Sequence, residues 1–332
     1  MMHIPKTQTA IVISGPGGPD VLVPRELPVE TPGAGEILIR VAAAGINRHD
    51  IHQRASGKHS DGRAVPGLEV CGTVAALGSG VTGMTQGDRV MALVPGGGYG
   101  QYVIAPAPLV MPAPDGFSDI EAAAIPEAVF TTWWNFFHLM SLQKDQFALF
   151  HGGTSGVGHI ALQAMSALGY NVIATAGSAQ KVAACGDFGA MAAFSYDDPE
   201  LATKVMEATG GAGISTLLDV SAGAHLAQDL AMMAPDGMIA HLSGGGGSTL
   251  DLPVRDLMAK RIRITGSLLR PLPLDRKSQV ADAIRRDVWP LLGTRVRPSI
   301  AQAFPLTDAA AAHAMMETGS HIGKIMLRLT PD

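Results

Sequence analysis

Residues 147–158 read Phe-Ala-Leu-Phe-His-Gly-Gly-Thr-Ser-Gly-Val-Gly. A short apolar run, Phe147 to Phe150, breaks into glycines, and a helical pattern follows from Val157 to Leu168. Strand, tight glycine turn and helix, in that order, make the βα unit that holds a dinucleotide pyrophosphate. Glycines let the backbone turn sharply and approach phosphate. The helix N-terminus adds unpaired N–H groups and the positive end of its dipole. The spacing Gly153-x-x-Gly156-x-Gly158 departs from the simple G-x-G-x-x-G, so the flanking segments have to decide. With their support, the turn predicts cofactor contacts from Gly153, Thr154, Ser155, Gly156, Val157 and Gly158.

The next strand, Asn171-Val172-Ile173-Ala174-Thr175-Ala176, chooses the cofactor. An NAD site usually ends this strand in Asp or Glu, which binds the ribose hydroxyls. Here it ends in Ala176-Gly177-Ser178, and Lys181 follows three residues later. A missing carboxylate removes repulsion against a 2′-phosphate, while a hydroxyl and an ammonium supply partners for it. Tyr196, after Ala193-Phe194-Ser195, adds a phenolic donor near the adenine ribose. A solvated helix lysine and a strand-end aromatic are the plainer readings of Lys181 and Tyr196. Taken together, Gly177, Ser178, Lys181 and Tyr196 predict NADPH rather than NADH.

Composition bounds the class. At 332 residues the chain is long for one domain and comfortable for two. A hydrophobic content of 47 % with 16 % charged residues fits a well-buried α/β protein, and the glycines and prolines punctuate the whole chain. A net charge of −5 gives no electrostatic footprint for nucleic acid or an anionic membrane. The two cysteines, Cys71 and Cys185, exclude a disulfide framework and suit a reducing compartment. The N-terminus shows no secretory pattern, and no apolar run approaches the roughly 20 residues of a membrane helix. The expectation is a soluble, cytoplasmic protein without nucleic-acid or membrane partners.

Residues 1–125 carry strand and turn signals at Thr9–Ser14, Glu36–Ala43, Val70–Leu77, Arg89–Val94 and Gln101–Ala105, the pattern of a small barrel. From Ile120 to about Leu142 the pattern turns helical. Phe130, Trp133, Trp134, Phe136 and Phe137 cluster there as helix packing. Strands at 147–150, 171–175, 191–194, 214–219, 237–242 and 262–267 then alternate with helices, which predicts a doubly wound parallel sheet. Helices near 275–292 and 307–318 and a last strand at Lys324–Leu329 complete the chain.

Ordered motifs span nearly the full length: Ala44-Gly45-Ile46-Asn47-Arg48 with Asp50, Pro66-Gly67-Leu68-Glu69, Pro95-Gly96-Gly97-Gly98-Tyr99, Ala124-Ile125-Pro126-Glu127-Ala128, Gly152 to Gly158, Thr175-Ala176-Gly177-Ser178, Gly266-Ser267-Leu268-Leu269-Arg270 and Ile322-Gly323-Lys324. As a set they resemble the zinc-independent medium-chain dehydrogenase/reductases, in the quinone oxidoreductase group, and are most similar to its p53-inducible quinone oxidoreductase-like branch. The resemblance implies an α/β fold in which a GroES-like β-barrel domain (1–125 and 271–332) is interrupted by a Rossmann domain (126–270). It also implies a homodimer, formed through the Rossmann sheet edge around Gly237–Leu252 and Arg261–Leu268.

No metal is expected. Asn47 stands where zinc-dependent relatives commonly place a cysteine, Leu68-Glu69 replaces a His-Glu pair, and two cysteines cannot build a four-cysteine lobe. Without a Lewis acid, hydride transfer to an acceptor that already draws electrons is the easier chemistry. The resemblance puts Asn47 and His52 at the catalytic end, Asn47 as an amide donor and His52 as a hydrogen-bonding group or proton relay. Many relatives carry tyrosine where this chain has His52. It also brings Ser221, Ser243, Gly244, Gly245, Ser267, Leu268, Leu269 and Lys324 to the cofactor, although glycines 244–247 equally fit a plain loop. Relatives with an arginine near the C-terminal stretch use it on the 2′-phosphate; this chain has Gly319 there.

The function expected is NADPH-dependent reduction of a small-molecule quinone or other electron-poor acceptor. An enoyl or alkenal reductase is the nearest alternative, disfavoured by the absence of a tyrosine after Asn47 at the donor position. A non-catalytic NADPH-binding protein is a second alternative.

Overall fold

The computed structural model describes residues 3–57, 64–221, 223, 225–243 and 249–329. Contacts divide the chain into two compact units, Met1–Glu127 with Pro298–Asp332, and Ala128–Arg297.

The first unit opens with β1 (Thr7–Ile13) and β2 (Leu22–Pro28), paired antiparallel. It continues through β3 (Glu36–Gly45), α1 (Arg48–Ser56), β4 (Glu69–Leu77), β5 (Arg89–Leu93), β6 (Tyr102–Pro106), β7 (Val110–Pro112) and α2 (Asp119–Ala123). β3 shows why these residues make a barrel strand. Ile37, Ile39 and Val41 enter the main core of this unit, and Leu38 packs on the opposite face with Ala75 and Ile104. That is the period-two alternation of a strand covered on both sides.

The second unit begins inside α3 (Pro126–Thr132), which runs into a π-helical segment, Trp133–Leu139. The helical pattern expected from Ile120 to about Leu142 is divided between α2 and α3, because Pro126 has no N–H to continue a helix and starts a new one instead. β8 (Phe147–His151), α4 (Gly158–Ala167), β9 (Asn171–Ala176), α5 (Ala179–Asp187), β10 (Ala192–Ser195), α6 (Leu201–Ala208), β11 (Ile214–Asp219), α7 (Leu226–Met232), β12 (Met233–His241), α8 (Val254–Lys260), β13 (Arg263–Gly266) and α9 (Leu274–Asp287) follow. The sheet is parallel, in the order β10-β9-β8-β11-β12-β13. From β8 the chain steps outward to β10, returns beside β8 at β11, and steps outward the other way. The order reverses between β8 and β11, and a crevice opens at the carboxyl ends of strands at such a point.

The chain then returns to the first unit as β14 (Ile300–Pro305), α10 (Ala309–Thr318) and β15 (Lys324–Arg328). β15 lies between β14 and β3 and pairs Met326 with Gly45. Residues 271–297, grouped with the barrel in the sequence reading, cluster with the second unit through α9. The strands β2, β7 and β14 carry prolines at Pro24, Pro28, Pro112 and Pro305, which read as breaks in sequence. Each is the terminal strand of its pairing order, where a missing N–H costs no ladder bond. Among the described residues, no helix is long and apolar enough to cross a membrane.

Candidate functional site

The glycine turn after β8 is anchored to β9: the N–H groups of Gly152 and Gly153 both donate to Thr175 O at 3.0 Å. Ser155 N–H donates to Gly152 O at 2.9 Å, and Ser155 Oγ accepts from Gly158 N–H at 3.0 Å, fastening the start of α4. Gly158 has no room for a side chain, since a Cβ there would stand 2.4 Å from Gly152 O and 2.9 Å from the Gly153 backbone. The N–H groups of Thr154, Gly156 and Val157 make no hydrogen bond among the described residues. Unused N–H groups at the head of a ten-residue helix form an anion cradle, reinforced by the helix dipole.

At the end of β9, Ser178 caps α5, its Oγ accepting from Lys181 N–H at 3.3 Å. Tyr196 closes on the same point from the end of β10: its hydroxyl would lie 2.2 Å from a Cβ on Gly177. Gly177, Ser178, Lys181 and Tyr196, picked out in sequence, thus surround one corner. Burial holds the Lys181 ammonium below the ordinary lysine range. The Tyr196 ring also packs at 5.4 Å on His225, a neighbour the sequence did not single out.

Beyond the switch point, Asp219 at the end of β11 is fully buried. It accepts from Ser221 N–H at 2.5 Å, Ser221 Oγ at 2.6 Å, Gly223 N–H at 2.7 Å and His241 Nδ1 at 2.9 Å. Burial alone would raise its carboxyl. The hydrogen bonds from His241 and Ser221, with the nearby His151, hold it well below the usual carboxylate range. Ser221, predicted to touch cofactor, is therefore committed to shaping its own turn. Among the described residues, the buried Nε2 of His241 has no hydrogen-bond partner. A pocket of about 520 Å³ lies at the ends of β12 and β13, with His241, Ser243, Ser267 and Leu268 against Trp134 and Leu272. Trp134 Nε1 donates to Ser267 Oγ at 3.2 Å, so this member of the aromatic cluster lines the pocket, whereas Trp133 and Phe136 are core. Leu269 is buried and Leu268 is 64 % exposed. Gly244 and Gly245 lie outside the described residues.

In the barrel unit, Asn47 precedes α1, yet its side chain leaves the capping to Asp50, which accepts Asn47 N–H at 2.9 Å. Asp50 also accepts from Gly67 N–H at 3.0 Å and from the Tyr99 hydroxyl at 3.2 Å. Burial dominates these bonds and pushes the Asp50 carboxyl up to about 6. The Asn47 amide points instead at two buried charges. Its Nδ2 donates to Glu69 Oε1 at 3.0 Å, and its Oδ1 accepts from Lys324 Nζ at 2.7 Å. Lys324 also pairs with Glu69, and both side chains are completely buried. Lys324, expected at the cofactor, is thus enclosed with its head group engaged inside the barrel unit. Its interior place follows from the pairing of β15 with β3, a contact invisible to local pattern. His52 is exposed on α1, and burial of part of its ring followed by the Arg48 charge lowers its pKa. Among the described residues, no three His, Cys, Asp or Glu side chains gather as a metal cluster.

The pattern described as an alcohol dehydrogenase GroES-like domain matches residues 33–115, and that of a zinc-binding dehydrogenase matches residues 156–286. Quinone oxidoreductase of Sus scrofa is 29 % identical, over 98 % of each chain. A solved mycobacterial quinone oxidoreductase is 30 % identical with a TM-score of 0.81, covering 97 % of this chain and all of the other. Escherichia coli quinone oxidoreductase, solved in complex with NADPH, is 26 % identical with a TM-score of 0.84 over 97 % of this chain and 100 % of that one. Two matching domain patterns, an interrupted barrel and full-length likeness agree: the chain belongs to the medium-chain dehydrogenase/reductase family, in its quinone oxidoreductase group.

Proposed function

We propose that this protein is an NADPH-dependent reductase of quinones and related electron-poor carbonyl acceptors. The observation that carries the reading is the anion cradle at the head of α4 beside a second-strand end without a carboxylate. The N–H groups of Thr154, Gly156 and Val157 hold the pyrophosphate, with Gly153, Ser155 and Gly158 shaping the turn. Ser178, Lys181 and Tyr196 receive the 2′-phosphate. Ser243, Ser267, Leu268 and Leu269 line the nicotinamide end, the last through its backbone because its side chain is buried. NADPH, when bound, supplies the hydride. Asn47 offers an N–H to the acceptor oxygen, and His52 is the group on α1 able to exchange a proton with solvent. The likeness to NADPH-bound Escherichia coli quinone oxidoreductase supports the same cofactor. A cytoplasmic homodimer, joined along the β13 edge of the parallel sheet, completes the proposal.

The experiment is acceptor-dependent NADPH oxidation with benzoquinone, phenanthrenequinone and an alkenal side by side. Turnover with the quinones supports the reading. Turnover confined to the alkenal replaces it with an enoyl-type reductase. NADPH binding without turnover on any acceptor makes the protein a non-catalytic binder.

A further inference from the structure

Asn47, Glu69 and Lys324 form a set of contacts more elaborate than a donor amide needs, with a second carboxylate, Glu127 Oε2, 4.0 Å from Lys324 Nζ. Glu69 reaches it only because residue 45 is glycine, where a Cβ would stand 2.1 Å from Glu69 Oε1. The second oxygen, Glu69 Oε2, accepts Glu127 N–H at 2.9 Å, fixing the carboxylate from behind. Burying an ammonium and a carboxylate is costly, and well-packed apolar side chains fill such a space at least as stably. The pair therefore needs a reason beyond packing, and the group it grips is Asn47.

An ammonium has no acceptor and a carboxylate no donor, so the two contacts leave one orientation for the amide, Oδ1 toward Lys324 and Nδ2 toward Glu69. One Nδ2 hydrogen is spent on Glu69, and the other is the only donor left on the side chain. The Lys324 ammonium donating to Oδ1 draws electron density from Nδ2 and strengthens that N–H, as hydrogen bonds linked in series do in a low dielectric.

We propose that Lys324 and Glu69 are positioning residues that lock and polarise the Asn47 amide as a hydrogen-bond donor for an acceptor carbonyl oxygen that becomes anionic. This deepens the proposed function and rests on it. Hydride adds to the quinone or enone, and the displaced π electrons settle on its oxygen. Asn47 donates to that oxyanion, and water then supplies the proton that completes the hydroxyl. A preset donor aimed at developing charge acts on kcat more than on ground-state binding.

Lys324→Met alone leaves the Glu69 carboxylate buried without its partner and risks unfolding. The test therefore uses Lys324→Met with Glu69→Gln, which removes both charges together, alongside Asn47→Ala and the triple variant. Thermal melting and NADPH affinity report the fold of each. The expected result is a double variant that binds NADPH like the parent, with kcat for benzoquinone down about tenfold or more and little change in KM. In that background Asn47→Ala adds little further loss, because the three residues act as one unit. A folded double variant with parental kcat overturns the inference and leaves the reductase reading standing, and so does an Asn47→Ala effect fully independent of the pair. A parent protein that turns over no acceptor overturns both.

Discussion

Lys181 stands at the second-strand corner with Ser178 and Tyr196, and a glutamate there replaces an attractive charge by a repulsive one. A charge-assisted hydrogen bond contributes about 1.5–3 kcal/mol, so Lys181→Glu is expected to weaken NADPH binding about ten- to a hundredfold. NADH, which lacks the 2′-phosphate, is expected to bind nearly as before, and fluorescence titration of both cofactors reads the difference. Equal losses would remove Lys181 from the phosphate corner.

Asp50 carries a second prediction at this scale. Its carboxyl is raised by burial to about 6, so the folded state holds the proton more tightly than the unfolded chain does. Its stabilising contribution is fully present below about pH 4 and is lost as pH rises through about 6. Asp50→Asn removes that dependence, and any offset from an amide facing Gly67 N–H is constant with pH. The stability of the parent relative to Asp50→Asn is expected to fall by about 2 kcal/mol between pH 4 and pH 6.5, read from denaturant midpoints. A flat difference would show Asp50 ionised throughout. The sequence exposed Asn47 and Lys324 as separate candidates. Their contact, 277 positions apart, is created by β15 pairing with β3, and no local pattern encodes it.

The strand-turn-helix unit at β8 and α4 was the most legible element, because close backbone approach requires glycine and glycine is visible in sequence. Gly158→Val is expected to abolish NADPH binding, since its Cβ alone would stand 2.4 Å from Gly152 O. Retained affinity would mean that the turn holds no phosphate. The elements that sequence missed share one cause. β2, β7 and β14 contain proline and sit at the ends of their pairing orders, so their partners, not their composition, make them strands. The hydrogen-bonded set under Ser221 was hidden for a related reason. Asp219 and His241 are register partners on β11 and β12, so their contact follows from strand order.

At the scale of the whole molecule, the interruption of a barrel by a parallel sheet was readable from the switch between strand-turn punctuation and strand–helix alternation. The second boundary was not, because α9 carries the same amphipathic pattern whichever unit it covers. β13 ends the strand order of the parallel sheet, and Leu250, Leu252 and Met258, in and just before α8, are exposed apolar side chains that a monomer leaves wet. Light scattering is expected to give a dimer, and Thr265→Lys on that edge is expected to shift it toward monomer. A parent that is monomeric at micromolar concentration would contradict the proposed assembly.

The most direct test of the account is the initial rate of benzoquinone-dependent oxidation of NADPH against that of NADH, at neutral pH with purified protein. Saturable turnover with kcat/KM about tenfold or more in favour of NADPH is the predicted result. Equal use of the two cofactors would contradict the phosphate corner, and no acceptor-dependent oxidation of either would contradict the reductase itself.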